Sequence, residues 1–182
     1  SLNYLFGGAS DKAVTNYMPE GGLLTPDGQG NYSFDAASKY AKYNRNSKRF
    51  ELTKQTQSGN RDPLFTPFGN DSDDNRYSFG MNLRADFYMP KDGKVNNQNM
   101  VFDFTGDDDV WVFIDGVLVL DLGGIHQAIR GTIDFATGNI TYDRNQSYGS
   151  DRATTINQAF SNAGKNWDSA AYKTHHLSFF YL

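Results

Sequence analysis

The chain contains no cysteine. Disulfide frameworks and thiolate metal sites are thereby excluded, and any metal would have to be held by carboxylate, imidazole, amide or backbone groups. Histidine is scarce, at 3 residues of 182. No cysteine nucleophile, no GxSxG elbow and no histidine placed beside a serine can be found, so hydrolase machinery is missing and the chain reads as a non-enzyme. No apolar segment approaches the roughly 18–20 residues that cross a bilayer, and the opening SLNYLFGG lacks the basic and apolar regions of a signal peptide. Membrane insertion is not expected. Positive charge is also short: Lys and Arg number 17 against 21 Asp and Glu, for a net charge of −4. Scattered in this way they form no basic stripe to displace phosphate counterions, which leaves nucleic-acid binding without support.

What the chain has in quantity is aromatic residues (15%, with 14 Phe and 11 Tyr) and glycine (18). Many short strands joined by tight turns fit that composition better than a helical bundle. The length suits one all-β domain over residues 1–182. The closing HHLSFFYL reads as a strand that stops with the chain, so a piece of a longer protein is expected.

Along the chain, Pro26, Asp27 and Gly28 mark a turn in a loop-rich lead-in. Tyr40, Tyr43, Phe50 and Leu52 flank a polar NRNS turn and predict a hairpin with its aromatics inward. Residues 53–75 form a long polar connection, of the kind that is usually functional or mobile. Its acidic cluster Asp71, Asp73 and Asp74 lacks the glycine at the sixth position and the glutamate at the twelfth that an EF-hand needs. Strands are predicted over 77–89, and over 100–105, where Met100, Phe102 and Phe104 alternate with Val101, Asp103 and Thr105.

Next, 110–114 and 117–122 are apolar runs separated by Asp115-Gly116, the dipeptide of a type I′ turn. Both runs are apolar on both faces and are expected to be central strands, with Trp111 and Phe113 as core. A second hairpin is expected over 132–135 and 139–142, with Gly138 at the position needing positive φ. Ser150 or Asp151 would cap a short helix running through Ala163 and ended by Gly164. A final strand covers 175–182, where His175 and His176 fall on opposite faces and cannot form a metal pair.

The chemistry concentrates in VFDFTGDDDVWVFIDGVLVLDLGGIH, residues 101–126. Asp107, Asp108 and Asp109 lie where a strand ends and the most apolar hairpin begins. At about 5 Å and an effective dielectric near 20, each carboxylate pair repels by roughly 3 kcal/mol, or under about 1 kcal/mol if fully solvated. A cation is a natural compensation, and with only oxygen ligands on offer calcium is the best candidate. A polar turn, in which the aspartates bond to nearby backbone amides, explains the triplet equally well from spacing alone.

FDFTGDDDVWVFIDGVLVLDLGGIH, followed in order by TIDFATGNITY and HHLSFFYL, resembles the fibro-slime family, a branch of the anthrax protective-antigen (PA-14) domain superfamily of the type found in bacterial surface adhesins. Residues 80–182 carry the resemblance clearly; LNYLFGG and GGLL carry it loosely. It implies a PA-14-like antiparallel β-sandwich or jelly roll with long loops and at most one or two short helices. It also implies a calcium-dependent, lectin-like adhesion module of a secreted, cell-surface or wall-anchored protein, with carbohydrate as partner and neighbouring domains of the same adhesin beside it. In its sugar-binding members two adjacent aspartates joined by a cis peptide hold Ca2+, and the ion takes sugar hydroxyls. Here that pair matches Asp107 and Asp108, with Asp109 where many relatives have glycine. A later loop supplies further ligands and an aromatic that packs on the sugar, and Asn166, Asp168 and Trp167 are the residues of those types in the matching region. His126, after Gly123-Gly124, either reaches the metal loop or fixes it by hydrogen bonds. The other reading is a structural spacer of a surface fibre, in which calcium only rigidifies loops.

Overall fold

The computed structural model describes residues 22–54, 65–68, 77, 79–142 and 152–182. They fall into two units that divide between Phe79 and Gly80. Most of the predicted long connection lies outside the described residues, including Asp71, Asp73 and Asp74, as do Ser150 and Asp151.

In the first unit, β1 (Thr25–Pro26) pairs with β2 (Tyr32–Ser33) across a turn built by Asp27. Its Oδ1 accepts from the amides of Gln29 and Asn31, the local bonding that makes aspartate a turn residue. The predicted hairpin follows as β3 (Lys39–Asn44) and β4 (Arg49–Lys54). Tyr43 and Phe50 are buried on one face and meet edge-to-face at 5.3 Å between ring centroids, with Phe68 against both. Of the residues expected to face inward, Tyr43 and Phe50 do so, whereas Tyr40 and Leu52 are only part-buried.

The second unit is an antiparallel β-sandwich. One sheet holds β5 (Met81–Tyr88), β9 (Val110–Ile114), β10 (Val117–Asp121) and β13 (Thr174–Tyr181), in the order β10-β9-β13-β5. The other holds β8 (Val101–Gly106), β11 (Ile129–Asp134) and β12 (Ile140–Tyr142), in the order β12-β11-β8. A small hairpin, β6 (Lys94–Val95) and β7 (Gln98–Asn99), precedes β8. Alternation in each strand sends one set of side chains between the sheets. Val110, Val112 and Ile114 of β9 and Ile129 and Ile133 of β11 are all buried, in a core from which water is excluded. Phe102 and Phe104 of β8 pack on Phe179 of β13 at 5.9 Å each, which ties the two layers together.

The Asp115-Gly116 turn has φ of 49° and 75° at its two residues, as a type I′ turn requires. Gly138 has φ 75° and closes the predicted second hairpin, where Asp134 caps the turn by accepting from the Ala136 and Thr137 amides. Three expectations need correction. β10 is an edge strand, not a central one. It is apolar on both faces because helix α1 (Ile156–Asn162) packs beside it with Ile156, Ala159 and Phe160 buried. This is a standard way of covering a sheet edge. Trp111 and Phe113 point away from the core that Val110, Val112 and Ile114 form; Trp111 lies under Gly123, and Phe113 meets Phe180 edge-to-face. Finally, α1 starts later than predicted, capped by Thr155, whose Oγ1 accepts from the Gln158 amide at 3.0 Å. Residues 154 and 155 are taken up by strand-like pairing with Asn139 and Ile140. The helix ends as expected, with Gly164 at φ 68° and the Lys165 amide bonded back to the Phe160 carbonyl.

Candidate functional site: an acidic crossover at one end of the sandwich

Asp107, Asp108 and Asp109 link β8 of one sheet to β9 of the other, so they span the open end of the sandwich. The LGGIH segment, residues 122–126, makes the second crossover at the same end, from β10 to β11. The two crossovers are joined directly: the Gly124 amide donates to Asp109 Oδ1 at 2.9 Å. Asp109 also exchanges backbone hydrogen bonds with Leu182, which draws the end of β13 into the site. Asp109 is thus a structural clamp between loops.

The LGGIH segment is fixed from several sides. The Gly123 amide donates to Asp121 Oδ1, and a side chain at Gly123 would meet the Trp111 indole at 2.8 Å. His126 sets its Nε2 2.6 Å from the Leu122 carbonyl and its Nδ1 2.9 Å from the Gln127 carbonyl. Of the two roles open to His126 in the sequence, the loop-fixing one is what these contacts describe. The ring is still close enough for its charge to act on Asp108.

Asp108 is the unusual carboxylate. It is half-buried, and its Oδ2 accepts from the Tyr181 hydroxyl at 2.5 Å. Burial pushes its pKa up; the Tyr181 hydrogen bond opposes this, and the charges of Asp107 and Asp109 add to the rise. The Tyr181 hydroxyl is in turn driven well above the ordinary tyrosine range, by burial first and then by its bond to Asp108. Asp107 is exposed, on the solvent side of this pair. A carboxylate with a raised folded-state pKa binds its proton more tightly folded than unfolded. Its contribution therefore falls as pH rises from the unfolded value near 3.8 through the folded one, and at neutral pH Asp108 opposes folding of the metal-free protein.

Tyr181 was not visible as a functional residue in the sequence. From the sequence it is placed only in the final strand; the available signal was that a buried phenol needs an acceptor. Tyr181→Phe is expected to destabilise the protein by about 1–3 kcal/mol, because it leaves a half-buried carboxylate without its hydroxyl donor. Urea denaturation of the metal-free protein measures this.

The structure does not bring the remaining predicted ligands to the acidic loop. Trp167 stacks on His175 at 4.5 Å and meets Phe160 edge-to-face at 5.1 Å. His175 is the second residue of β13 and Tyr181 the last, so six residues of strand, roughly 20 Å, separate Trp167 from Asp108. Asp168, whose carboxylate binds Lys173 at 2.6 Å and the Ala170 amide, and the exposed Asn166 beside it lie at that far end. The assignment of Asn166 and Asp168 as metal ligands and of Trp167 as a partner of the acidic loop is corrected accordingly. The Asp107–Asp108 bond is also trans, since no described peptide bond is cis.

The far end has its own carboxylate–imidazole pair. Asp115 accepts from the His176 amide through Oδ1 and faces His175 Nδ1 through Oδ2 at 2.7 Å. Burial would raise the Asp115 pKa, but the His176 amide and the His175 ring outweigh it and hold the carboxyl below its usual range. Its contribution is present above the unfolded pKa and is lost as pH falls through the lowered one, opposite in sign to Asp108. His176, on the other face, pairs with the exposed Asp86, so the two histidines are separated as the strand period predicts.

Among the described residues no group of three or more carboxylates and imidazoles converges on one point. Asp107 and Asp108 therefore offer at most two carboxylates toward a cation. Calcium takes six to eight oxygens, including carbonyls, water and hydroxyls, and such a shell fits it better than magnesium or zinc.

No family model matches the chain, and no solved structure does. Matches among curated proteins are local. The chain is 47% identical over 66 residues to protein psiF of Dictyostelium discoideum, which covers 36% of this chain and 9% of that protein. It is 42% identical over 67 residues to psiP of the same organism, covering 37% of this chain and 8% of psiP. With psiG, also from Dictyostelium discoideum, it shares 55% identity over 47 residues, 26% of this chain and 7% of psiG. Each match therefore spans less than a tenth of the relative's own length.

Proposed function

We propose that residues 80–182 form a carbohydrate-binding adhesion module of the fibro-slime type, carried by a secreted or cell-surface protein, in which Asp107 and Asp108 hold Ca2+. The ion's remaining positions would be filled by backbone carbonyls, water and the hydroxyls of a terminal sugar. The observation that carries this reading is Asp108: a half-buried carboxylate between two others, raised in pKa, which among the described residues is bonded by the Tyr181 hydroxyl and by no basic side chain. Asp107, exposed next to it, leaves the outer side of the pair open to solvent. The resemblance of residues 101–126 to calcium-dependent adhesins supports the same assignment. No catalytic role is part of it.

The trans Asp107–Asp108 bond and the heavily pinned LGGIH segment favour a second reading, in which calcium locks the two crossovers and no sugar binds. A glycan array probed with the whole chain, in calcium and again in chelator, separates the two. Glycan binding that disappears with chelator is the expected result. Calcium binding with no glycan response assigns the module to the spacer class.

A further inference from the structure

The hairpin of β3 and β4 carries a charge opposite to that of the chain. Residues 39–54 hold six of the 17 Lys and Arg residues but only one of the 21 acidic ones, Glu51, so the basic residues read as scattered are concentrated here. Unbroken register from the Lys39–Lys54 pair to the Asn44–Arg49 pair fixes where they stand. Tyr43 and Phe50 oppose each other on the buried face, so Lys42 and Arg49, each one residue before them, share the other face as diagonal neighbours about 7–8 Å apart. Arg45 and Lys48 open and close the turn that joins the strands. All four side chains are exposed. Among the described residues none of the four forms an ion pair. The carboxylate of Glu51, opposite Lys42, accepts from the Asn44 side-chain amide at 2.6 Å.

The turn is held in shape from within. Asn44 Oδ1 accepts from the Asn46 and Ser47 amides at 2.9 and 3.1 Å, and Lys48 has φ 55°. A lysine in that left-handed position carries a steric penalty that glycine would avoid, and no burial offsets it. A strained, exposed lysine between two exposed arginines points to a use for its charge. Such a group of cations, with the forked donors of arginine in it, selects oxyanions: carboxylate, sulfate or phosphate. The turn sequence RNSK holds no ring for a base to stack on and no apolar side chain to enter a bilayer, which disfavours single-stranded nucleic acid and membrane. Four cations also fall short of the roughly six to ten phosphate contacts of strongly salt-dependent duplex binders. We propose that Lys42, Arg45, Lys48 and Arg49 form a binding site for an acidic polysaccharide, whose carboxylate or sulfate groups they neutralise. The site lies in the first unit, uses no residue of the acidic crossover and so goes beyond the calcium reading.

The test measures binding of the full chain, in excess EDTA at low salt, to polygalacturonate for carboxylate and to dextran sulfate for sulfate, with duplex DNA and phosphatidylserine vesicles beside them. Binding to at least one polysaccharide is expected, tighter than to DNA or vesicles and weakening as salt rises. Arg45→Gln combined with Arg49→Gln should lower that affinity by at least about tenfold and reduce the slope of log affinity against log salt by about two. Lys48→Gly should also lower affinity while melting no lower than the parent, since glycine takes the left-handed position without strain. No binding to either polysaccharide, tighter binding to DNA or vesicles, or affinity unchanged in these variants overturns the proposal. So does a loss of affinity in Lys48→Gly that comes with a lower melting temperature. Because chelator is present throughout, failure here is distinct from failure of the calcium reading.

Discussion

Replacing His175 by alanine is expected to destabilise the protein by about 3 kcal/mol, with a fall in Tm of more than about 10 °C. His175 is fully buried, stacks on Trp167, lies 5.6 Å from Phe87 and bonds Asp115. Truncation opens a cavity the size of an aromatic ring and leaves Asp115 without the partner that helps hold its pKa down. Among the described residues His175 Nε2 has no hydrogen-bond partner, so the Asp115 contact at Nδ1 is the one polar tie of this ring among them. Asp115→Ala should cost less, about 2 kcal/mol, and the double variant less than the sum of the two, because both remove one interaction. Thermal melts of the three variants supply the numbers. A loss below about 1 kcal/mol for His175→Ala would show that the far end of the sandwich is held by other contacts.

Asp108→Asn is expected to act in opposite directions on two properties. The amide oxygen still accepts from the Tyr181 hydroxyl while the charge facing Asp107 and Asp109 is gone. The metal-free protein should therefore become more stable at neutral pH by about 1 kcal/mol, the scale of partly screened carboxylate repulsion at this spacing. That gain should shrink as pH is lowered toward the titration of Asp108, where the parent loses the same charge by protonation. Calcium affinity should fall by at least about 100-fold, since removing a direct ligand costs no less than removing its supporting groups. A residue kept only as a polar turn would not show that opposition, because its loss would weaken the fold and leave ion binding unchanged.

Much of the scaffold was legible because its signals are local. Asp115-Gly116 and Gly138 specify left-handed backbone whatever surrounds them, and both turns formed as read. The alternation in 101–106 fixed which side of β8 faces the core. Sheet order is not local. β10 reads as central because its apolar faces do not say whether a strand or a helix covers them, and here α1 does. The same limit misplaced Asn166, Trp167 and Asp168. Whether the segment before β13 lies near the acidic loop depends on the direction of β13 relative to β9, and the two are antiparallel. That pairing sends 166–168 to the Asp115 turn and brings Tyr181 to Asp108. The triplet itself separated into three roles that spacing could not distinguish: Asp109 clamps Gly124, Asp108 is half-buried on Tyr181, and Asp107 faces solvent.

Titration calorimetry of calcium into the metal-free chain at neutral pH tests the central claim most directly. The account predicts one binding site that is lost in Asp107→Ala and in Asp108→Asn. Absence of calcium binding by the folded parent, or binding that survives both aspartate substitutions, would contradict it.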